Sequence, residues 1–275
     1  MSIGKFNSNM YHDTHAHLDI LLEKQNLITL EKIDELLINH SFVIHSTVST
    51  TNFHLVKELF QNNPKVKYLL GSHPEIVVAG YDLEEYLKTQ KLYLGSNPDL
   101  GLVGIGEIGL DYHYTQDKYL HKIQQQLFES QIELALRFNL PVAIHCREAF
   151  EDTFAVLRNY PQIHGKFEIH CFTGGIDEAK VTLELGGKLG IGGIITFNNA
   201  NSIKEAVSFA PIDSLLLETD LPFLSPIPKR GQICLPEYID FVADFVAGLK
   251  GVSKEQIWNM CEANARDLYF NSNSN

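Results

Sequence analysis

The 275-residue chain carries 34 acidic against 22 basic side chains, for a net charge of −12, and 44% of its residues are apolar. That apolar share supports a sizeable core and excludes a generally disordered chain, while the acidic balance argues against broad adhesion to polyanions, which needs a basic face. No stretch reaches the roughly 18 uninterrupted apolar residues of a membrane span, and MSIGKFNSN lacks the apolar segment of a secretory signal, so the chain reads as cytoplasmic, with no membrane and no obligate protein partner.

Eight short apolar runs follow in chain order. MYHDTHAHLD (10–19) places His15 and His17 two residues apart, so on an extended strand both rings leave one face, with Asp13 and Asp19 in register and His12 facing outward. FVIHSTV (42–48) comes next, then VKYLLGSHP (66–74), which ends at His73. GLVGIGEIGLDY (101–112) has Glu107 at the end of its apolar part, then Asp111 and Tyr112, with His113 just beyond. Helical spacing over 117–138 lines up Leu120, Ile123, Leu127, Ile132 and Leu136 as an apolar stripe. PVAIHCR (141–147) ends in His145, Cys146 and Arg147, and KFEIHCF (166–172) ends in His170 and Cys171. KLGIGGIITF (188–197) and SLLLETDLPF (214–223) complete the set, the latter ending near Asp220. The Pro-rich stretch 220–236 reads as the loop after the eighth strand, and Ser253 with Gln256 has the spacing of a capping box opening the last helix.

Strands apolar on both faces that alternate with helices imply a parallel sheet covered by helices. Eight such units in this length fit an α/β fold of the (β/α)8 TIM-barrel type, one domain over 1–275 with flexible ends at 1–9 and 271–275. Barrel enzymes build their sites at the C-terminal strand ends, and that is where the polar residues cluster. A lone strand histidine is more often a hydrogen-bonded core residue than a ligand. Six convergent groups (His15, His17, Glu107, His145, His170 and Asp220) resist that explanation, because unpaired acids and imidazoles buried together cost several kcal/mol without a cation. They are ligand types for a divalent transition metal. By strand parity Asp13, Glu168 and Glu218 point inward as possible supports for ligand rings, while Cys146 and Cys171 point outward as packing thiols. With no C-x-x-C, Cys146, Cys171, Cys234 and Cys261 indicate neither a disulfide framework nor a structural zinc knot.

In order, DTHAHLD, GSHPE, GEIGLDY, QIELALRFNLPVAIHCR, HCFTGG and LLLETDLPFLSPIPKRG resemble the signature motifs of the TatD family of metal-dependent hydrolases and deoxyribonucleases, in the amidohydrolase superfamily. The resemblance spans 13–231 and departs from the family pattern in KRGQICLPEY, where Cys234 stands near the place of a usual asparagine. It implies a TIM barrel with a one- or two-metal centre of Mg²⁺, Mn²⁺ or Zn²⁺. His15, His17 and Asp220 resemble ligands of one ion, Glu107 a bridge, and His145 and His170 ligands of a second. It further implies DNA as substrate, single-stranded or at frayed ends, with Glu107 and Asp220 as catalytic groups. His73, Arg147, Arg230, Asp111 and His113 are candidates for holding substrate, with Lys229 a further cation near the phosphate. Phe197, Phe223 and Tyr112 could stack on bases or belong to the core. A metal-dependent amide or ester hydrolase and a non-catalytic metal-binding barrel are the alternatives; the first is disfavoured because Glu107 occupies the bridge position in place of a carbamylated lysine.

Overall fold

The computed structural model describes residues 10–24, 29–96 and 101–271, so the ends expected to be flexible lie outside the described residues apart from Asn271. Each of the eight apolar runs contains a strand: β1 (Tyr11–Ala16), β2 (His40–Ser46), β3 (Val66–Leu69), β4 (Leu102–Asp111), β5 (Val142–Arg147), β6 (Phe167–Ile169), β7 (Lys188–Ile191) and β8 (Leu215–Leu217). They lie side by side in sequence order, every neighbouring pair parallel. Helices between the strands cover the outer face, which is why Val43, Ile44, Ile105, Val142 and Ile144 are wholly buried although they alternate in direction.

The barrel closes through the loop after β8. Ala16 bridges Leu221, the His17 N–H donates to the Leu221 carbonyl at 2.8 Å, and the Asp220 N–H donates to the His15 carbonyl at 2.9 Å. Closure therefore sets Asp220 directly against the histidine pair. At the other end, Ala265, Leu268 and Tyr269 of the helix Lys254–Tyr269 pack on Phe42, Val103, Ala143 and Leu216 near the strand starts. That helix opens with the expected capping box: Gln256 N–H donates to Ser253 Oγ at 3.1 Å, and Ser253 N–H to Gln256 Oε1 at 3.0 Å.

Two of the irregularities in strand pairing fall at the polar strand ends. Pairing shifts between Asp13 and Ala16 in β1, and between Ile105 and Ile108 in β4, each set three residues against two on the neighbouring strand. Such bulges re-aim side chains, and these two fall at His15 and at Glu107. Asp19 leaves the register of the histidines because β1 ends at Ala16: it lies in the first turn of the helix Leu18–Lys24 and accepts from the Ile20 N–H at 2.8 Å. Gly109, at φ 139, lets β4 run against β5; a Cβ there would meet the His145 carbonyl.

The helix Lys118–Phe138 matches the predicted 117–138, with Asp117 capping the Tyr119 N–H and Asn139 ending it in the left-handed conformation at φ 52. Its inward face is more polar than the predicted stripe. Leu127 and Ile132 are buried as expected, together with His121, Gln124, Phe128, Gln131 and Ala135, while Leu120, Ile123 and Leu136 are only partly covered. Among the described residues no helix is long and apolar enough to cross a membrane.

Candidate metal centre

The polar strand ends meet in a cavity of about 730 Å³ lined by His17, His73, Glu107, His145, His170 and Asp220 among others. Its centre is Glu107, whose side chain is almost wholly buried. Oε2 of Glu107 lies 3.2 Å from His15 Nε2 and 3.7 Å from His17 Nε2. Oε1 faces the other way, 2.6 Å from His145 Nδ1, 3.6 Å from His73 Nε2 and 3.7 Å from His170 Nε2. Asp220 Oδ1 completes the first side at 3.3 Å from His17 Nε2 and lies 3.8 Å from His170 Nε2. One carboxylate between two sets of imidazoles is the arrangement a bridging ligand requires.

The backbone and neighbouring acids decide which ring nitrogens point inward. His17 Nδ1 donates to the Ser46 carbonyl at 3.0 Å, which turns Nε2 toward Glu107 and Asp220. His170 Nδ1 donates to Glu218 at 3.1 Å, with the same result for its Nε2. His73 is set the opposite way: its Nδ1 accepts from the Glu75 N–H at 3.2 Å, so the neutral ring carries its proton on Nε2 and offers a donor to the cavity. His145 lies between two acids, with Nε2 3.0 Å from Asp111 Oδ2.

Charge follows this geometry. Burial disfavours charge on His170 and His145, but Glu218 and Glu107 outweigh it at His170 and raise its pKa to about 10, while Asp111 and Glu107 raise that of His145 to about 9. Burial likewise pushes Glu107 upward, yet His170, His73 and His15 hold it well below the usual carboxylate range; Asp220 is depressed by His17 and His170 against the same opposing burial. His73 goes down to about 3, through burial and then the neighbouring His145.

The donor set fits divalent cations. His15 is fully buried, its Nε2 stands 3.2 Å from Glu107 Oε2, and its Nδ1 has no hydrogen-bond partner. Leaving a buried polar atom unpaired costs on the order of 1–3 kcal/mol, and a cation would satisfy it. His15, His17 and Asp220 each place a ligand atom within 4.8 Å of the others.

Of the remaining predicted residues, Arg147, Asp111 and His73 line the cavity. Arg147 donates to the Tyr114 hydroxyl at 3.1 Å and sits over that ring. His113 and Arg230 are not among the lining residues: the His113 ring is 2.7 Å from Glu148 Oε1, and the Arg230 guanidinium covers the Phe197 ring at 4.1 Å. Lys229 sits over the Tyr238 ring. Phe223 is at the cavity edge, whereas Tyr112 stacks on His121 and donates to Asp152 at 2.7 Å. Among the inward acids Glu218 steadies the His170 ring, but Asp13 binds the Thr219 side chain and the His15 and Thr219 amides, and Glu168 accepts from Tyr269 at 2.6 Å. Burial, followed by Glu218, raises Glu168 to about 8; burial also raises Asp13 to about 7.

Cys171 departs from the outward packing position expected of it. Strand β6 ends at Ile169, and Cys171 turns to φ 44 and lines the cavity. Strand alternation no longer governs a residue beyond the strand. Gln124 and Gln131 were not singled out by the sequence. Each clamps a strand-end backbone with paired amide bonds: Gln124 holds the Asp111 N–H and carbonyl, both at 2.9 Å, and Gln131 holds those of Ser72 at 2.8 and 3.0 Å. Their seven-residue spacing beside the apolar stripe is the signal that finds them.

The profile of the family described as TatD related DNase matches residues 12–270. A metal-dependent hydrolase of Buchnera aphidicola from Acyrthosiphon pisum is 34% identical over 266 residues, covering 94% of this chain and 98% of its own. The Bacillus subtilis metal-dependent hydrolase YabD is 34% identical over 266 residues, with 94% and 99% covered. The crystal structure of YJJV, a TatD homologue of Escherichia coli, superposes with a TM-score of 0.84 at 27% identity and covers 94% of this chain and 97% of its own. A chain that matches this family over nearly its whole length, on a barrel of the same architecture, belongs to the TatD-related DNase family of metal-dependent hydrolases.

Proposed function

We propose that the protein hydrolyses phosphodiester bonds in DNA, at single-stranded or frayed ends, with two divalent ions of the Mg²⁺, Mn²⁺ or Zn²⁺ kind. The observation that carries the reading is Glu107, whose two oxygens face separate histidine sets. His15, His17 and Asp220 would hold one ion, His145 and His170 the other, and Glu107 would join them. When bound, the ions lower the pKa of water and neutralise charge on a phosphoryl group. Asp220, depressed and therefore ionised near neutrality, accepts the proton of the attacking water and returns it to the leaving oxygen. His73 Nε2–H and Arg147 donate to phosphate oxygens, where charge grows as the bond breaks. Phe223 at the cavity edge offers a face for a terminal base. The chain's charge of −12 suits contact with a few phosphates at an end better than tracking along duplex.

The test compares a labelled single-stranded oligonucleotide with amide and lactone substrates, each with Mg²⁺, Mn²⁺ or Zn²⁺. Metal-dependent shortening of the oligonucleotide is expected. Turnover of the carbonyl substrates alone overturns the reading in favour of amide or ester hydrolysis, and failure with every substrate despite bound metal favours a non-catalytic barrel.

A further inference from the structure

Three of the four cysteines have packed sulfurs, although Cys146 also borders the cavity. The Cys146 sulfur accepts from Thr153 Oγ1 at 3.3 Å, and Cys234 and Cys261 are fully buried. Cys171 differs. It adopts φ 44, a left-handed conformation that costs a residue with a Cβ on the order of 1–2 kcal/mol. Glu218 Oε1 stabilises that turn by accepting the Cys171 N–H at 2.7 Å, and the half-buried residue then lines the cavity beside Thr173 and Asp220. Its Sγ, a ring nitrogen of His170 and an oxygen of Asp220 all lie within 4.8 Å of one another. Against this group stands His15, fully buried, with its Nδ1 lacking a hydrogen-bond partner and its ring stacked 3.4 Å from that of His170. The grouping differs in kind from His15, His17 and Asp220, which offer only nitrogen and oxygen.

We infer that His170, Cys171 and Asp220 form a sulfur-containing site for a thiophilic divalent ion such as Zn²⁺ or Cd²⁺, an alternative occupancy of the same barrel mouth. Imidazole and carboxylate accept Mn²⁺ as well as softer ions, though more weakly, and carboxylate accepts Mg²⁺; a thiolate adds affinity mainly for the soft ones. Binding forms a sulfur–metal bond and releases the thiol proton to solvent, with no change in oxidation state. Asp220 belongs to both sets, so an ion on the sulfur competes for its carboxylate with one held by His15 and His17. Cys171 thereby acts as a selector among metals.

The inference rests on the metal-centre reading above, and the experiment separates the two. Co²⁺ alone is added to the whole protein. Thiolate ligation gives a near-ultraviolet sulfur-to-cobalt charge-transfer band that imidazole and carboxylate do not, so the wild type shows it and Cys171→Ser loses it while still binding Co²⁺ in calorimetry. Zn²⁺ binds Cys171→Ser roughly tenfold more weakly than the wild type, whereas Mn²⁺ binds within about twofold. In the unaltered protein, Zn²⁺ slows iodoacetamide labelling of Cys171, located by peptide mass, and Mg²⁺ does not. Bound Co²⁺ without the band, or labelling indifferent to Zn²⁺, overturns the sulfur site and leaves the metal centre standing. No binding of either Co²⁺ or Mn²⁺ overturns both.

Discussion

Replacing Glu218 with glutamine tests how the barrel interior prepares a ligand. Glu218 is wholly buried; it accepts the Cys171 N–H at 2.7 Å and the His170 Nδ1–H at 3.1 Å, so it needs two acceptor oxygens. Glutamine has one. If that oxygen stays on the fixed Cys171 amide, the new NH₂ faces His170 Nδ1 and forces it to accept, which moves the ring proton to Nε2 and aims it at the centre of the site. The neutral ring that a metal must meet then lacks a lone pair on Nε2, and the anionic support of the imidazole is gone as well. Partners of this kind alter metal affinity by about 10–100-fold, or about 1.4–2.7 kcal/mol. The metal-free fold does not weaken to match, because Glu218 also raises the pKa values of Asp13 and Glu168 by like-charge repulsion, which the substitution relieves. Calorimetric titration with Mn²⁺ beside thermal melting of the metal-free protein reads both effects. Mn²⁺ affinity within about twofold of the wild type would refute the reasoning.

Glu107→Ala abolishes hydrolysis while thermal unfolding of the metal-free protein stays cooperative; residual activity near the wild-type rate would remove Glu107 from the bridge. Burial lowers His12 to about 3 and His45 to about 4 from 6.5, so the unfolded chain takes up their protons first, and the stability they allow is present above pH 6.5 and lost as pH falls toward those values. At pH near 5 each costs roughly 2 kcal/mol, from about 1.4 kcal/mol per pH unit, and urea midpoints for His12→Leu should fall less steeply from pH 7 to 5 than for the wild type. Glu168 has the opposite sign: raised from 4.5 to about 8, it binds its proton more tightly when folded, and its contribution is full below 4.5 and lost as pH rises through 8. Glu168→Gln should therefore flatten the decline of stability between pH 5 and 8, and an unchanged slope would show that Glu168 titrates normally.

The convergence of the candidate ligands was legible because they stand at or just past the ends of apolar runs, and strand starts and ends survive small errors of register. Asp220 shows why: its position follows from closure of the barrel by Asp220 and Leu221 onto His15 and Ala16, whatever the orientation of its neighbours. Fine side-chain direction was less legible. The bulges at His15 and Glu107 arise from pairing with β2 and β5, contacts far away in sequence, and Asp19 falls outside the site because β1 gives way to a helix before it. Cys171 was misdirected by alternation carried past the end of β6, where the Glu218 carboxylate rather than the pleat sets the backbone. Gln124 and Gln131 show in the sequence only as a seven-residue spacing beside the apolar stripe; their partners, the backbones of Asp111 and Ser72, lie on other elements and carry no local signal. His113 and Arg230 lie close in sequence to site motifs, yet Glu148 and the Phe197 ring hold their side chains outside the cavity lining.

The central claim is a pair of cations joined by Glu107. Its most direct test is Mn²⁺ stoichiometry by calorimetry and elemental analysis for the wild type, for a His15→Ala/His17→Ala variant and for a His145→Ala/His170→Ala variant. The account predicts close to two ions per chain in the wild type, with each double variant losing a different one. A single ion in the wild type, or both variants losing the same ion, would contradict it.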